Sequence, residues 1–182
     1  MSTAYAKKFI VEVTAADSVP PALEKTRPLG RHLDGCRIGF DLGASDRKVS
    51  AVVDGETVFS EEVPWDPRNQ SNPLYHYHQI MSGLHQAASH LPRVDAVGGS
   101  AAGIYIDNRA MVASLFRGIP RTEFRKKIKP MFLRMRRKWK VPFEVVNDGE
   151  VTALAGSMSL NANRVLGIAL GSSQAGGYVN DK

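Results

Sequence analysis

The chain has 182 residues, of which 43% are hydrophobic and 23% are charged, and its formal net charge is +6. This composition excludes a disordered chain, and the lack of any apolar run near the ~20 residues that span a bilayer excludes a membrane-embedded one. A single cysteine, Cys36, excludes an intrachain disulfide and a multi-cysteine zinc site. We therefore expect a soluble cytoplasmic protein of one domain, or of one domain and part of another.

The first 36 residues predict little regular structure. Residues 9–15, FIVEVTA, alternate like a short strand, whereas residues 17–35 are rich in turn and breaker residues. We interpret residues 1–36 as an extension wrapped against the domain that follows.

From residue 37 onwards the patterns become regular. RIGFDL, KVSAVVDG and ETVFSEEV predict three strands, with a tight Asp-Gly turn between the second and the third. LYHYHQIMSGLHQAASHL has helical spacing, while VDAVGGSAAG and VPFEVVND each predict a buried strand. GEVTALAGSMSL predicts a helix, and RVLGIALGSSQAGGYVN predicts two strands around a Gly/Ser loop. Strands that alternate with helices indicate an α/β fold with a mixed sheet.

Residues 121–140 hold ten of the 24 Lys and Arg residues and one acidic residue, Glu123. Such a segment could bind phosphate backbones. Its apolar residues recur every three or four positions, however, which predicts a helix with a buried stripe and a solvated basic face. Pro130 should interrupt this helix. We favour the solvated face over a nucleic-acid partner, which is unlikely on this pattern. The apolar stripe consists of Phe124, Ile128, Phe132, Met135 and Trp139.

Three loops that follow strands carry residues suited to chemistry, at the edge where open α/β sheets bind ligands. Asp41, Gly43 and Ser45 form the first loop, whose amides, hydroxyl and carboxylate could meet phosphate and Mg²⁺, although Asp and Gly are also ordinary turn residues. In the second, Asn147 and Asp148 follow a buried strand, where Asp148 could equally cap the next helix. The third, a Gly/Ser loop, could wrap phosphates or make a plain hairpin.

Together, DLGAS, VVNDGEVTALAG about a hundred residues later and GIALGSSQAGGY soon after resemble the actin-like ATPase superfamily. Within it they are most similar to the ROK family of sugar kinases and sugar-responsive repressors. The resemblance covers residues 37–182 and implies an actin-like ATPase (ribonuclease H-like) fold, with a mixed five-stranded sheet flanked by helices. It also implies an N-terminal extension at residues 1–36, an N-terminal lobe at residues 37–160 and the incomplete start of a second, nucleotide-binding lobe at residues 161–182.

The resemblance further implies roles for individual residues. ATP and Mg²⁺ would be the cofactors, and a sugar would be the substrate. Asp148 would be the catalytic base that accepts the proton of the sugar hydroxyl, while Asn147 and Gly103 would bind the sugar. Asp41 would hold Mg²⁺ through water. The residues that would meet ATP or its metal are Asp41, Gly43, Ser45, Gly171, Ser172 and Ser173.

The sequence departs from the family pattern in three places. The third loop contains Gln174 and fewer glycines than active kinases show. The sequence stops at Lys182, and the family's His/Cys zinc motif has no counterpart in it. Residues 1–36 are too short and too rich in proline for the winged helix-turn-helix of the family's repressors. We therefore expect a fragment that exposes apolar surface near residues 161–182.

We interpret the chain as an ATP-dependent sugar kinase of the ROK type, inactive as this fragment because catalysis needs two lobes that close around the phosphoryl group. A non-catalytic sugar-sensing or regulatory protein with the same fold is the alternative, and a homo-oligomer stays open. His76, His78, His85 and His90 are interpreted as solvated or capping residues and not as metal ligands. Ser100 lacks the spacing of a hydrolase nucleophile.

Overall fold

Strands and helices alternate along the chain in a computed structural model that describes residues 1–22, 28–171 and 174–181. The strands are β1 Cys36–Leu42, β2 Asp46–Val53, β3 Glu56–Pro64, β4 Ala96–Ala101, β5 Ile104–Ile106, β6 Arg109–Val112, β7 Phe143–Val146, β8 Val165–Leu170 and β9 Gln174–Val179. The α-helices are α1 Ser2–Tyr5, α2 Pro73–Ala88, α3 Arg121–Glu123, α4 Met131–Trp139 and α5 Asp148–Leu160. Single turns of 3₁₀-helix occupy Ala16–Ser18 and Ser114–Phe116, and a π-helix occupies Phe124–Ile128.

Five strands form the central sheet in the order β3-β2-β1-β4-β7. Strands β1, β4 and β7 are parallel, while β2 and β3 are antiparallel to their neighbours, so the predicted mixed five-stranded sheet is confirmed. The three strands expected from residue 37 onwards are β1, β2 and β3. The turn between β2 and β3 needs positive φ at Asp54 and Gly55, 49° and 87°, which this residue pair tolerates.

The alternation along β1 buries one face of the sheet. Cys36, Ile38, Phe40 and Leu42 are buried, and the residues between them are half-buried. Phe40 lies at the centre of this core, with its ring centroid 6.3 Å from that of Phe132 in α4. Helices α2 and α4 contribute seven further side chains to the core. Helix α5 packs chiefly against the separate hairpin β8–β9 and also contacts β4.

The basic segment adopts the predicted apolar stripe, and its helix is interrupted at the predicted residue. Ile128, Phe132 and Met135 are buried, whereas the Lys and Arg side chains are exposed or half-exposed. Because Pro130 has no N–H, the chain closes a wider turn before it, in which the Lys129 N–H donates to the Phe124 carbonyl at 2.8 Å. Helix α4 then begins directly after Pro130.

The solvated reading of the histidines is wrong for His76. This residue of α2 is completely buried, with rings of Trp65 and Phe116 at 6.2 and 4.9 Å. Its Nε2 lies 2.9 Å from the Pro67 carbonyl oxygen, which satisfies one ring nitrogen. Burial lowers the pKa of His76. The other three histidines named above are exposed, and the described residues contain no group of three potential ligands that could hold a metal.

The strand-like alternation at residues 9–15 does not produce a strand. These residues are exposed and have no strand partner among the residues that the structure describes. Alternation alone does not produce a strand where no sheet edge is available for pairing. Residues 28–35 behave differently, because Arg31 reaches α5 and donates to the hydroxyl of Ser157 at 3.1 Å and to the Asn163 side chain at 2.7 Å.

The hairpin β5–β6 was not predicted. Its two-residue turn uses Asp107 and Asn108, both at positive φ, and Asn108 is buried. The Asn108 side chain donates to the Phe143 carbonyl at 2.9 Å and accepts from the Val145 N–H at 2.8 Å. The hairpin is thereby tied to the outer edge of β7, which would otherwise expose unpaired backbone groups.

Hairpin β8–β9 faces α5 with small residues and solvent with large ones. A Cβ atom added to Gly177 would lie 2.5 Å from the Cα of Glu150, so this approach requires glycine. The opposite side carries four exposed apolar residues, which confirms the predicted apolar surface near residues 161–182. These residues are Leu166, Ile168, Leu170 and Tyr178. None of the helices in the described ranges has the length and apolar character needed to cross a membrane.

Candidate functional site

The carboxyl ends of three parallel strands meet at one edge of the sheet. Strand β1 ends beside Asp41, β4 beside Ser100, and β7 leads directly into Asn147 and Asp148. The register pairs Asp41 with Ser100, and Ser100 with Val146, so the three strand ends lie side by side. This is the edge at which α/β sheets place ligands.

Asp41 is held in place by Ser100. The Ser100 hydroxyl donates to Asp41 Oδ1 at 2.5 Å, a short hydrogen bond. Ser100 is only 6% exposed, so this contact is part of the built interior. Asp41 Oδ2 accepts no hydrogen bond from any residue that the structure describes. Ser100, set aside as a nucleophile, therefore orients a carboxylate with one oxygen left for a ligand.

Asn147, and not Asp148, caps helix α5. Its Oδ1 accepts from the Gly149 N–H at 2.9 Å, and its own N–H donates to Glu150 Oε2 at 3.0 Å, which completes a capping box. The Asn147 Nδ2 also donates to the Gly103 carbonyl at 2.7 Å. The structure thus brings Asn147 and Gly103 into contact, and it leaves one N–H of the Asn147 amide for a further partner.

Because Asn147 caps α5, the side chain of Asp148 does not bond to the N–H groups at the start of the helix. Its Oδ1 is buried and accepts no hydrogen bond from the described part of the chain. Burial raises the pKa of Asp148 to about 6, and the negative charge of Asp41 adds to the rise. Burial likewise raises the pKa of Tyr105, and the charge of Asp148 raises it further. A carboxylate with a pKa near neutrality and a vacant oxygen is suited to accept a proton.

The first loop is a tight turn between β1 and β2. The Gly43 N–H donates to the Asp46 carbonyl at 3.0 Å, while Trp65 Nε1 donates to the Gly43 carbonyl at 2.9 Å. The Ser45 hydroxyl donates to Asp46 Oδ2 at 2.8 Å. Asp46 Oδ1 is 2.9 Å from the ammonium of Lys48. Hydrogen bonding to Lys48 and Ser45 lowers the pKa of Asp46, so this carboxylate is ionised.

The third loop lies at the same end of α5 as Asp148. Strand β8 runs antiparallel to α5, because Val165 lies near Gly156 and Gly167 near Ala153. The end of β8, at Leu170, and the start of β9, at Gln174, therefore lie towards the first residues of the helix. Gly171 begins the third loop and Gln174 follows it. The predicted phosphate contacts Ser172 and Ser173 lie outside the described residues.

The donor set at Asp41 fits a magnesium ion. Mg²⁺ keeps several of its waters and is bound by one or two carboxylates, so a single oriented carboxylate with a free oxygen is sufficient on the protein side. By contrast, the side chains of Ser45 in the first loop and Lys48 in β2 already have a partner in Asp46. Sequence reasoning missed Ser100, Tyr105, Asp46 and Lys48 as members of this site. The only local signal was that Asp46 directly follows the DLGAS stretch.

No family model and no curated protein sequence matches the chain. Solved structures with a similar fold include the inorganic polyphosphate/ATP-glucomannokinase from Arthrobacter sp. strain KM, at 19% identity and a TM-score of 0.61 over 81% of this chain and 59% of that one. A ROK family transcriptional regulator, a homologue of the E. coli MLC protein, is 16% identical with a TM-score of 0.57, over 82% of this chain and 37% of that one. The ROK hexokinase from Thermus thermophilus is 18% identical with a TM-score of 0.53, over 80% of this chain and 46% of that one.

These similarities show the fold. The protein has the α/β fold of ROK sugar kinases and of a ROK transcriptional regulator, with a mixed five-stranded sheet and flanking helices. The chain spans between about a third and three fifths of the length of these structures. The site described above lies within that shared fold, at the carboxyl edge of its sheet.

Proposed function

We propose that the chain belongs to the ROK family and forms the sugar-binding part of an ATP-dependent sugar kinase. The observation that carries this proposal is Asp148, whose buried oxygen has no hydrogen-bond partner among the described residues and lies at the start of α5 beside Asp41 and Asn147. On this proposal residues 37–160 are one lobe, and residues 161–182 begin a second, nucleotide-binding lobe.

Asp148 would act as the catalytic base. With a pKa of about 6 it is ionised in roughly nine molecules out of ten at pH 7. It would accept the proton of the sugar hydroxyl late in a loose phosphoryl transfer, in which positioning matters more than the strength of the base. Its vacant Oδ1 supplies the acceptor without breaking an existing hydrogen bond.

The neighbouring residues would position the reactants. Asn147 and Gly103, already bonded to each other, would form the wall against which the sugar binds. Asp41, oriented by Ser100, would hold the hydrated metal. MgATP would supply the phosphoryl group. The residues proposed to approach its phosphates are Gly43, Ser45, Gly171, Ser172 and Ser173.

The test is phosphorylation of a panel of hexoses and N-acetylhexosamines, with ATP or inorganic polyphosphate as donor and with Mg²⁺ present. It is run on the 182 residues and on the full product of the reading frame that encodes them. We expect Asp148→Asn to lower the turnover at least a hundredfold. The matched control is Asp34→Asn, a carboxylate 84% exposed at the opposite edge of the sheet, which should leave turnover unchanged.

A second candidate is a sugar sensor without kinase activity, and one observation favours it. Ser45 in the first loop and Lys48 in β2 both bond to Asp46, so two groups suited to phosphate already have an anionic partner. The kinase proposal would be overturned in favour of the sensor by a combination of two results. Calorimetry would show sugar binding, and neither the 182 residues nor the full product of the reading frame would phosphorylate a sugar. Turnover that survives Asp148→Asn would overturn the assigned role of Asp148.

A further inference from the structure

A single carboxylate bonds to two side chains suited to bind phosphate, those of Ser45 in the first loop and Lys48 in β2. Asp46 accepts from the Ser45 hydroxyl through Oδ2, at 2.8 Å, and from the Lys48 ammonium through Oδ1, at 2.9 Å. Lys48 is only a distant partner of Glu62, at 3.8 Å. Both short contacts of the carboxylate are therefore made to the groups that a phosphate at this turn would need.

The position of Lys48 makes this contact relevant to the site. In the β1–β2 ladder Lys48 lies directly opposite Asp41, and residues paired in this way project from the same face of the sheet. Asp41 also raises the pKa of Lys48, as a minor cause after the hydrogen bond to Asp46. The ammonium is therefore close to the carboxylate proposed to hold the metal, and it is the cation best placed to meet a phosphate there.

A carboxylate oxygen and a phosphate oxygen accept the same hydrogen bonds. A hydroxyl has one proton to donate, so Ser45 cannot serve Asp46 and a ligand at once. A phosphate that approaches the same two donors would in addition come close to the negative charge of Asp46. Like charges so placed disfavour binding, and they do so for every anion irrespective of the rest of the ligand.

We propose that Asp46 competes with phosphate for Ser45 and Lys48 and so lowers the affinity of the site at the first loop for phosphate chains. The proposal rests on the proposed function only in placing a phosphate chain at this loop. It does not require that the sugar be phosphorylated. Asp46 is an internal anion that a ligand must displace from Ser45 and Lys48.

The size of the effect follows from the exposure of the contact. The Asp46 and Lys48 side chains are 24% and 46% exposed, so solvent screens their attraction and the ligand can displace it. We therefore expect removal of the charge to raise the affinity for a phosphate chain about tenfold, and not by many orders of magnitude.

The experiment measures tripolyphosphate binding to the 182-residue chain by calorimetry, with and without Mg²⁺ and without any sugar. Asp46→Asn keeps the shape and removes the charge, and Asp46→Ala also frees the Ser45 hydroxyl. Both variants should bind tripolyphosphate about tenfold more tightly than the original chain does. The affinity of Asp46→Ala should be at least as high as that of Asp46→Asn. Adding Lys48→Ala to Asp46→Asn should abolish the gain, because the gain depends on the freed ammonium.

The matched control is Glu62→Gln, which removes one negative charge from the other carboxylate near Lys48 but does not touch Ser45. It should change the affinity less than twofold. Equal gains for Glu62→Gln and Asp46→Asn would reduce the effect to net charge and overturn the proposal, as would an unchanged affinity in Asp46→Asn. Failure of the kinase proposal is distinguishable, because it would appear as absent phosphorylation while the binding gain of Asp46→Asn persists.

Discussion

At the scale of single residues, the site depends on the different roles of two neighbouring side chains, Asn147 and Asp148. Asn147 uses its side chain to cap α5 and to bind Gly103, whereas Asp148 faces the strand ends with an oxygen that has no described partner. Had Asp148 been the cap, its carboxylate would be occupied and its pKa lowered by the helix N–H groups. Because Asn147 is the cap, these N–H groups do not lower the pKa of Asp148, and burial raises it.

This arrangement predicts that Asp148→Asn stabilises the protein at pH 8. The pKa of Asp148 is about 6 in the folded chain and lower in the unfolded chain, so between pH 4 and 6 the unfolded state loses its proton first. The stability of the original chain then falls as the pH rises through this window and stays reduced above it. Because the carboxyl is half-buried, solvent screening limits the gain of the variant to about 1 kcal/mol.

The measurement is urea unfolding of both chains at pH 4 and pH 8. Other titrating groups, including His76, act alike in the two chains and cancel in the difference. The gain should vanish at pH 4, where Asp148 is protonated in most folded molecules, and Asp34→Asn should show no such pH dependence. A variant that is less stable than the original chain at pH 8 would contradict the burial of an ionised carboxylate.

At the scale of elements, the contact between α5 and the hairpin β8–β9 sets where the third loop lies. The contact is made by backbone against backbone, because Gly149, Gly167 and Gly177 leave no room for side chains between them. Such a close approach holds the hairpin in one register on the helix. The position of the two strand ends that flank the loop, Leu170 and Gln174, is then determined by packing on α5.

We therefore expect Gly177→Ala and Gly176→Ala to differ sharply. A Cβ atom on Gly177 would lie 2.5 Å from the Cα of Glu150, whereas one on Gly176 would be 3.8 Å from its nearest neighbour, the Gly167 carbonyl. The first change should lower the free energy of unfolding by about 1–3 kcal/mol through overpacking. The second should alter it by less than about 0.5 kcal/mol.

Chemical denaturation gives the two free energies, and hydrogen exchange of the β8 amides shows whether the hairpin has separated from α5. Protection of these amides should fall in Gly177→Ala and persist in Gly176→Ala. Equal behaviour of the two variants would mean that the hairpin does not pack on α5 through its glycines.

At the scale of the whole molecule, the excess of positive over negative charge lies in one segment. Residues 121–140 carry ten Lys and Arg residues and one acidic residue, which leaves 14 basic and 17 acidic residues for the rest of the chain. The apolar residues of the segment are buried or half-buried, so its basic side chains surround a packed helix and do not alternate with free aromatic surfaces. Within the segment, like charges therefore far outnumber opposite ones.

Self-repulsion within residues 121–140 predicts that salt stabilises the protein. Raising the ionic strength from 10 to 150 mM shortens the screening length from about 30 to about 8 Å and should raise the melting temperature by a few degrees. Replacing Arg136, Arg137 and Lys138 together by Gln should remove most of this dependence. Replacing Lys7 and Lys8 by Gln is the control and should leave it intact, and a melting temperature that falls with salt in the original chain would contradict the prediction.

Local patterns in the sequence were sufficient for much of the fold. The alternation in β1, the Asp-Gly turn after β2, the helical spacing in α2 and the break at Pro130 each depend on residues close together in the chain. The three loops that carry Asp41, Asn147 with Asp148, and Gly171 were also recognisable, because small and polar residues follow apolar strands in each case. For such features the physical cause lies within a few residues, so the sequence by itself determined them.

Other features were decided only by the tertiary structure. The hydrogen bond from Ser100 to Asp41 joins residues 59 positions apart, and it exists because the register of β1 and β4 sets them side by side. His76 is buried and residues 9–15 are exposed for the same kind of reason, since burial depends on which elements pack nearby. The sequence could name Asp41, Asn147 and Asp148, but only the packed sheet brings Ser100 to them and decides which oxygens and protons remain free for a ligand.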